Sequence, residues 1–119
     1  MDKLLLGRRI LVVEDEMMIL WTIEEMLADL GCESISTAET VEQGLALIQT
    51  QTFDAAMLDV SLGGAKSYPI AEALTARGVP FIVSTGYGDD AGALGYGDRL
   101  VLTKPYRFED LASAFSSLV

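Results

Sequence analysis

The chain has 119 residues, 18 acidic against 8 basic, no histidine and one cysteine, for a formal charge of −10. This length fits one domain with a hydrophobic core of its own, and a 50% hydrophobic share with 22% charged residues is that of a globular chain. Imidazole catalysis, His-ligated zinc or haem, an internal disulfide and a thiolate cage are excluded, and the acidic balance argues against a direct nucleic-acid partner or an anionic membrane surface.

Apolar runs alternate with helical patterns along the whole chain. Residues 10–13 (ILVV) form a short apolar run closed by Glu14, the pattern of a parallel strand buried on both faces. Ile19, Ile23, Met26, Leu27 and Leu30 then recur at helical spacing, with Gly31 as a stop. Residues 32–38 (CESISTA) are polar enough for an edge strand, and Cys32 fits a small buried filler. Thr40 is an N-cap candidate for a helix through Val41, Leu45, Leu47 and Ile48. Residues 53–60 (FDAAMLDV) make the next buried strand, followed by a loop with Gly63 and Gly64. A helix over residues 70–76, strands over 79–85 and 100–103, and an amphipathic helix over 108–118 complete a (βα)5 pattern. Such a pattern implies a flavodoxin-like α/β fold, a five-stranded parallel sheet of order 2-1-3-4-5 flanked by helices. Residues 86–98, with five glycines, are poor helix material, so a short or mobile fourth helix is expected there.

Polar residues collect where the strands end. Glu14, Asp15 and Glu16 follow the first strand, Asp59 ends the third, Ser84 and Thr85 end the fourth, and Thr103 and Lys104 end the fifth. Open parallel sheets bind ligands beyond these carboxyl ends, and in this order the first and third strands are neighbours about 4.8 Å apart. Carboxylates crowded there repel unless a cation sits among them, and an oxygen-only donor set favours Mg²⁺. Asp59 then suits a nucleophile towards phosphorus, with Lys104 neutralising a phosphoryl oxygen and Thr85 donating to another.

This constellation resembles the receiver domain of two-component response regulators, and the resemblance covers residues 9–119 as a single domain. The receiver pattern is an acidic pair (Glu14, Asp15), a phosphoacceptor (Asp59), a hydroxyl residue (Thr85) and Lys-Pro (Lys104, Pro105). It implies that Asp15, Asp59 and the Ser61 carbonyl hold Mg²⁺ directly, that Glu14 acts through water, and that Pro105 is a candidate cis-proline. It also implies a histidine kinase or histidine phosphotransfer protein as donor and a downstream protein target; a cytoplasmic location is expected because no stretch approaches ~20 apolar residues and residues 1–9 lack an apolar h-region. Residues 80–88 (PFIVSTGYG) resemble the PFxFATGY receivers, with Val83 and Ser84 in place of Phe and Ala. Many receivers carry an aromatic switch residue three positions before the lysine, where this chain has Val101. Signalling is then expected to run through Tyr87 or Tyr106, or through changed order in residues 86–98.

The first helix carries an apolar surplus. Met17, Leu20 and Trp21 fall outside the stripe set by Ile19 and Ile23, with Trp21 about 200° from Ile19 at ~100° per residue. They are expected to form an exposed partner surface. A haloacid-dehalogenase-like phosphatase and a non-phosphorylated pseudo-receiver are the alternatives. The first places its nucleophile after the first strand and carries a cap; the second has no use for Asp59, Thr85 and Lys104 together.

Overall fold

The computed structural model describes residues 3–86, 96 and 99–119. Its elements run β1 (Arg9–Val13), α1 (Met17–Asp29), β2 (Ser34–Ala38), α2 (Val41–Thr50), β3 (Ala55–Asp59), β4 (Ser61–Leu62), β5 (Ala65–Lys66), α3 (Tyr68–Ala76), β6 (Phe81–Thr85), β7 (Leu100–Thr103) and α4 (Phe108–Leu118). The main sheet has the order β2-β1-β3-β6-β7, and every pair in it is parallel. This is the flavodoxin-like arrangement that the alternation of patterns implies. The expected fourth helix falls in a stretch, residues 86–98, lying, apart from Gly86 and Tyr96, outside the described residues, as does Tyr87.

The apolar runs become central strands because both faces of each are covered. Leu11, Val13, Ala56, Leu58 and Val83 point to one face, where Ile48 of α2 and Ile70 and Leu74 of α3 cover them. Ile10, Val12, Ala55, Met57 and Ile82 point to the other, under Leu20, Ile23 and Leu27 of α1 and Leu111 and Phe115 of α4. Successive strand residues alternate between the two cores, as a pleat requires. Polar β2 takes one edge of the sheet and β7 the other. Thr40 caps α2 by accepting the Gln43 amide at 3.1 Å.

Two local features depart from the sequence reading. The loop after β3 is a small antiparallel hairpin, Ser61 pairing with Lys66 and Leu62 with Ala65, turned by Gly63 and Gly64 at φ 59° and 89°. These left-handed values suit glycine because they cost a Cβ-bearing residue energy. On α1 the buried stripe is Leu20, Ile23 and Leu27, continued by Leu30. Leu20 therefore belongs to the core and not to the expected partner surface. Ile19 and Met26 sit half-buried on the flank of the stripe.

Candidate functional site

The carboxyl ends of β1, β3, β6 and β7 meet at one end of the sheet, and the chain delivers its polar residues there. Glu14 prolongs β1, its amide donating to the Ala38 carbonyl at 3.0 Å, and the residue is only 1% exposed. Asp59 is the last residue of β3 and lies beside Ser84 in register. Thr85 ends β6 and is buried. Lys104 follows β7, its amide bonded to the Thr85 carbonyl at 2.8 Å, and its bond to Pro105 is cis.

One ammonium organises this cluster. Lys104 Nζ lies 2.9 Å from Glu14 Oε1, 3.0 Å from Asp59 Oδ2 and 3.6 Å from Glu16 Oε1. Asp15 completes the acidic set: Glu14, Asp15 and Asp59 each offer a carboxylate oxygen, all within 4.8 Å of one another. Asp15 Oδ2 also accepts the Gly63 amide at 2.8 Å, so the tip of the hairpin is tied to the site. The Ser61 amide approaches Asp59 Oδ1 at 3.4 Å, a long contact that leaves this oxygen weakly held.

The charges do not balance. One lysine against three carboxylates leaves the cluster anionic, and burial together with the neighbouring Asp59 pushes the Glu14 carboxyl up to about 7 despite the opposing pull of Lys104. Burial by itself would lower the Lys104 ammonium, but its bonds to Glu14 and Asp59 outweigh that and hold it above its ordinary value. A further cation relieves the excess. Hard oxygen donors from three side chains, with the backbone of Ser61 adjoining, fit Mg²⁺. Glu14, Asp15, Asp59 and Lys104 are thus brought together as side chains, Thr85 stands at the end of the neighbouring strand β6 with its carbonyl bonded to the Lys104 amide, and Ser61 adjoins them through the β3–β4 connection.

The residues proposed as partner surface divide. Met17 and Trp21 are exposed on α1, and Met18, which the sequence reading passed over, is 76% exposed beside them. Tyr106 turns inward: its ring lines a groove of about 470 Å³ with Ile19, Thr22, Gly86 and Pro105. Its buried hydroxyl faces Ser84 with no hydrogen bond of good geometry, and burial pushes it up to about 12. Val101, at the position where an aromatic switch residue is common, is exposed on edge strand β7. Sequence reasoning also missed Ser67, Tyr68 and Tyr96, whose side chains meet behind the hairpin. The available signal was a serine at a helix start before Tyr-Pro.

Known proteins resemble this chain in fold and sequence. SdrG from Sphingomonas melonis Fr1 superposes with a TM-score of 0.85 at 43% identity, covering 93% of this chain and 95% of that one, and a BeF3-activated conformation of SdrG matches at 0.79. The receiver domain of the sensor histidine kinase PA1611 from Pseudomonas aeruginosa PAO1, solved with a magnesium ion coordinated in its active-site cleft, superposes at 0.83 with 28% identity, covering 94% and 97% of the two chains. The transcriptional regulatory protein PdtaR of Mycobacterium tuberculosis is 27% identical over 94% of this chain and 57% of its own length. The chain spans about half the length of the curated relatives it matches, between 50% and 57%. Residues 10–116 match the family model of the response regulator receiver domain, and the chain belongs to that family.

Proposed function

We infer that the chain accepts a phosphoryl group on Asp59 from the phosphohistidine of a histidine kinase or histidine phosphotransfer protein, and signals through protein contacts in the cytoplasm. The observation that supports this reading is the placement of Asp59 within 3.0 Å of the Lys104 ammonium, inside a carboxylate cluster built from the ends of neighbouring strands. Asp15, Asp59 and the Ser61 carbonyl would hold Mg²⁺ directly, with Glu14 acting through water. When bound, the ion supplies charge neutralisation for the phosphoryl oxygens.

The chain's own residues do the rest. A carboxylate oxygen of Asp59 forms the new bond to phosphorus while the phosphorus–nitrogen bond of the donor breaks, and the electron pair returns to the imidazole. Lys104, already against Asp59 Oδ2, follows the charge onto a phosphoryl oxygen. The Thr85 hydroxyl, at the end of the neighbouring strand, donates to another. No part of this turns over an external substrate, so the catalysis is confined to the domain's own phosphorylation and dephosphorylation.

Incubation with a small phosphodonor and Mg²⁺, followed by intact mass, tests the assignment. One phosphoryl addition to the wild type, absent in Asp59→Ala, supports it. An addition that survives in Asp59→Ala rejects Asp59 as the acceptor, and steady release of phosphate from diverse substrates identifies a phosphatase instead.

A further inference from the structure

Ser67 occupies the N-cap of α3, where a serine hydroxyl ordinarily accepts an amide from the first turn. It makes no such bond. Its Oγ lies instead 2.8 Å from the hydroxyl of Tyr96, and the two residues are 0% and 5% exposed. The Tyr96 hydroxyl also approaches the Val60 carbonyl at 3.5 Å, a long contact secondary to the one with Ser67, and that carbonyl accepts the Ser67 amide at 3.0 Å. A consistent chain has Ser67 donating to Tyr96 and Tyr96 donating to Val60. The Tyr96 ring stacks on Tyr68 with centroids 4.9 Å apart.

These contacts close a loop that matters. Val60 directly follows Asp59, and Ser67 directly follows the hairpin, so one distant tyrosine bridges both ends of the excursion that carries Ser61 and Gly63. The tip of that excursion is bonded to Asp15 through the Gly63 amide. Buried hydroxyls are costly to leave unpaired, so the network favours one placement of its members.

The geometry points to Tyr96 as a positioning residue for the phosphoacceptor loop: its hydroxyl, shared with Ser67 and Val60, holds residues 60–67 so that Ser61 and Gly63 meet the acidic cluster, and divalent-cation binding there depends on it. This rests on the reading of that cluster as the Mg²⁺ site beside Asp59. Linkage makes the coupling mutual, so the bound cation must tighten the Tyr96 contact by the same factor that the contact tightens the cation.

Tyr96→Phe, Ser67→Ala and the double variant test this, because Tyr96→Phe keeps the ring and its stack on Tyr68. Mg²⁺ affinity is measured by following the Gly63 amide resonance, and hydrogen exchange of the Ser67 amide is measured without metal. Each single variant is expected to weaken Mg²⁺ about tenfold, the scale for residues that orient metal ligands, and to speed exchange at Ser67. The double variant should be little worse than either single one. A purely structural role would lower the melting temperature without moving the Mg²⁺ affinity of the folded protein. Affinity within twofold of wild type in either folded single variant overturns the inference, and Ser67→Ala decides it alone if Tyr96→Phe does not fold. A wild type that binds no Mg²⁺ overturns the functional reading and this inference together, whereas unchanged variants beside a binding wild type overturn only the inference.

Discussion

The ammonium of Lys104 lies 2.9 Å from Glu14 Oε1, and each residue explains how the other can be there. Glu14 is buried at 1% exposure and Lys104 at 13% by its side chain, so either charge alone would be costly. Asp59 shares the same lysine, which therefore acts as a resident counterion where the carboxylates crowd.

Lys104→Met should expose that role. The methionine keeps much of the volume and removes the charge, leaving Glu14 and Asp59 facing each other. Stability of the metal-free protein at pH 8 should fall by about 3 kcal/mol, the scale for breaking a buried pair. Urea melts should show most of the loss recovered on adding Mg²⁺, and a smaller loss at pH 5, where Glu14 is protonated. An equal loss under all three conditions would mean that packing, not charge, is responsible.

The raised Glu14 carboxyl fixes the sign of a pH dependence. Its value of about 7 in the folded chain stands above the ordinary 4.5, so the folded state holds this proton more tightly than the unfolded chain. Its contribution to the stability of the metal-free protein is full below 4.5 and is lost as pH rises through about 7. Lys104, also raised, contributes steadily across this window, and its share is lost only above the ordinary lysine range. Mg²⁺ binding should run the other way, because protons compete with the cation: affinity should rise by up to about tenfold per pH unit below 7 and level off above it. Calorimetric melts in chelator and Mg²⁺ titrations at several pH values check both slopes, and Glu14→Gln should flatten them.

Trp21 is 57% exposed on α1 beside exposed Met17 and Met18. Trp21→Ala should change stability by less than about 0.5 kcal/mol. Phosphorylation by a small donor should be unaffected, while transfer from a phosphorylated histidine phosphotransfer domain that reacts with the wild type should slow about tenfold, as expected for an aromatic anchor. Equal slowing with both donors would remove this face from the docking surface.

The hairpin turn offers a backbone test. At Gly64, φ 89° strains any residue with a Cβ, although the added atom would meet nothing within 4 Å. Gly64→Ala should cost about 1 kcal/mol and weaken Mg²⁺. Gly63→Asn, at φ 59°, should be tolerated better because asparagine enters this region most readily after glycine. Comparison of the two variants by urea melts and Mg²⁺ titration separates strain from crowding; an unstrained Gly64→Ala would show that the turn relaxes.

Much of this was legible before folding. ILVV and AAML read as strands because residues buried on both faces leave no polar alternation, and Thr40 read as a cap from its hydroxyl alone. The phase of α1 was not legible. Met17, Met18, Ile19, Leu20 and Trp21 are apolar almost all the way round the first turns, so periodicity could not choose between Ile19 and Leu20 as the stripe. Packing on the sheet chose Leu20.

The sequence by itself determined the alternation of strands and helices, and with it which polar residues stand at strand ends: Glu14, Asp15, Asp59, Thr85 and Lys104. Those are local facts, set by burial pattern and chain order. Only the tertiary structure decided that Lys104 reaches Glu14 and Asp59 at once, that Asp15 takes the Gly63 amide, and that Ser67 gives up capping α3 to meet Tyr96. Each of these joins residues at least 29 positions apart, where local propensity carries no information and the cost of burying an unpaired polar group selects the partner.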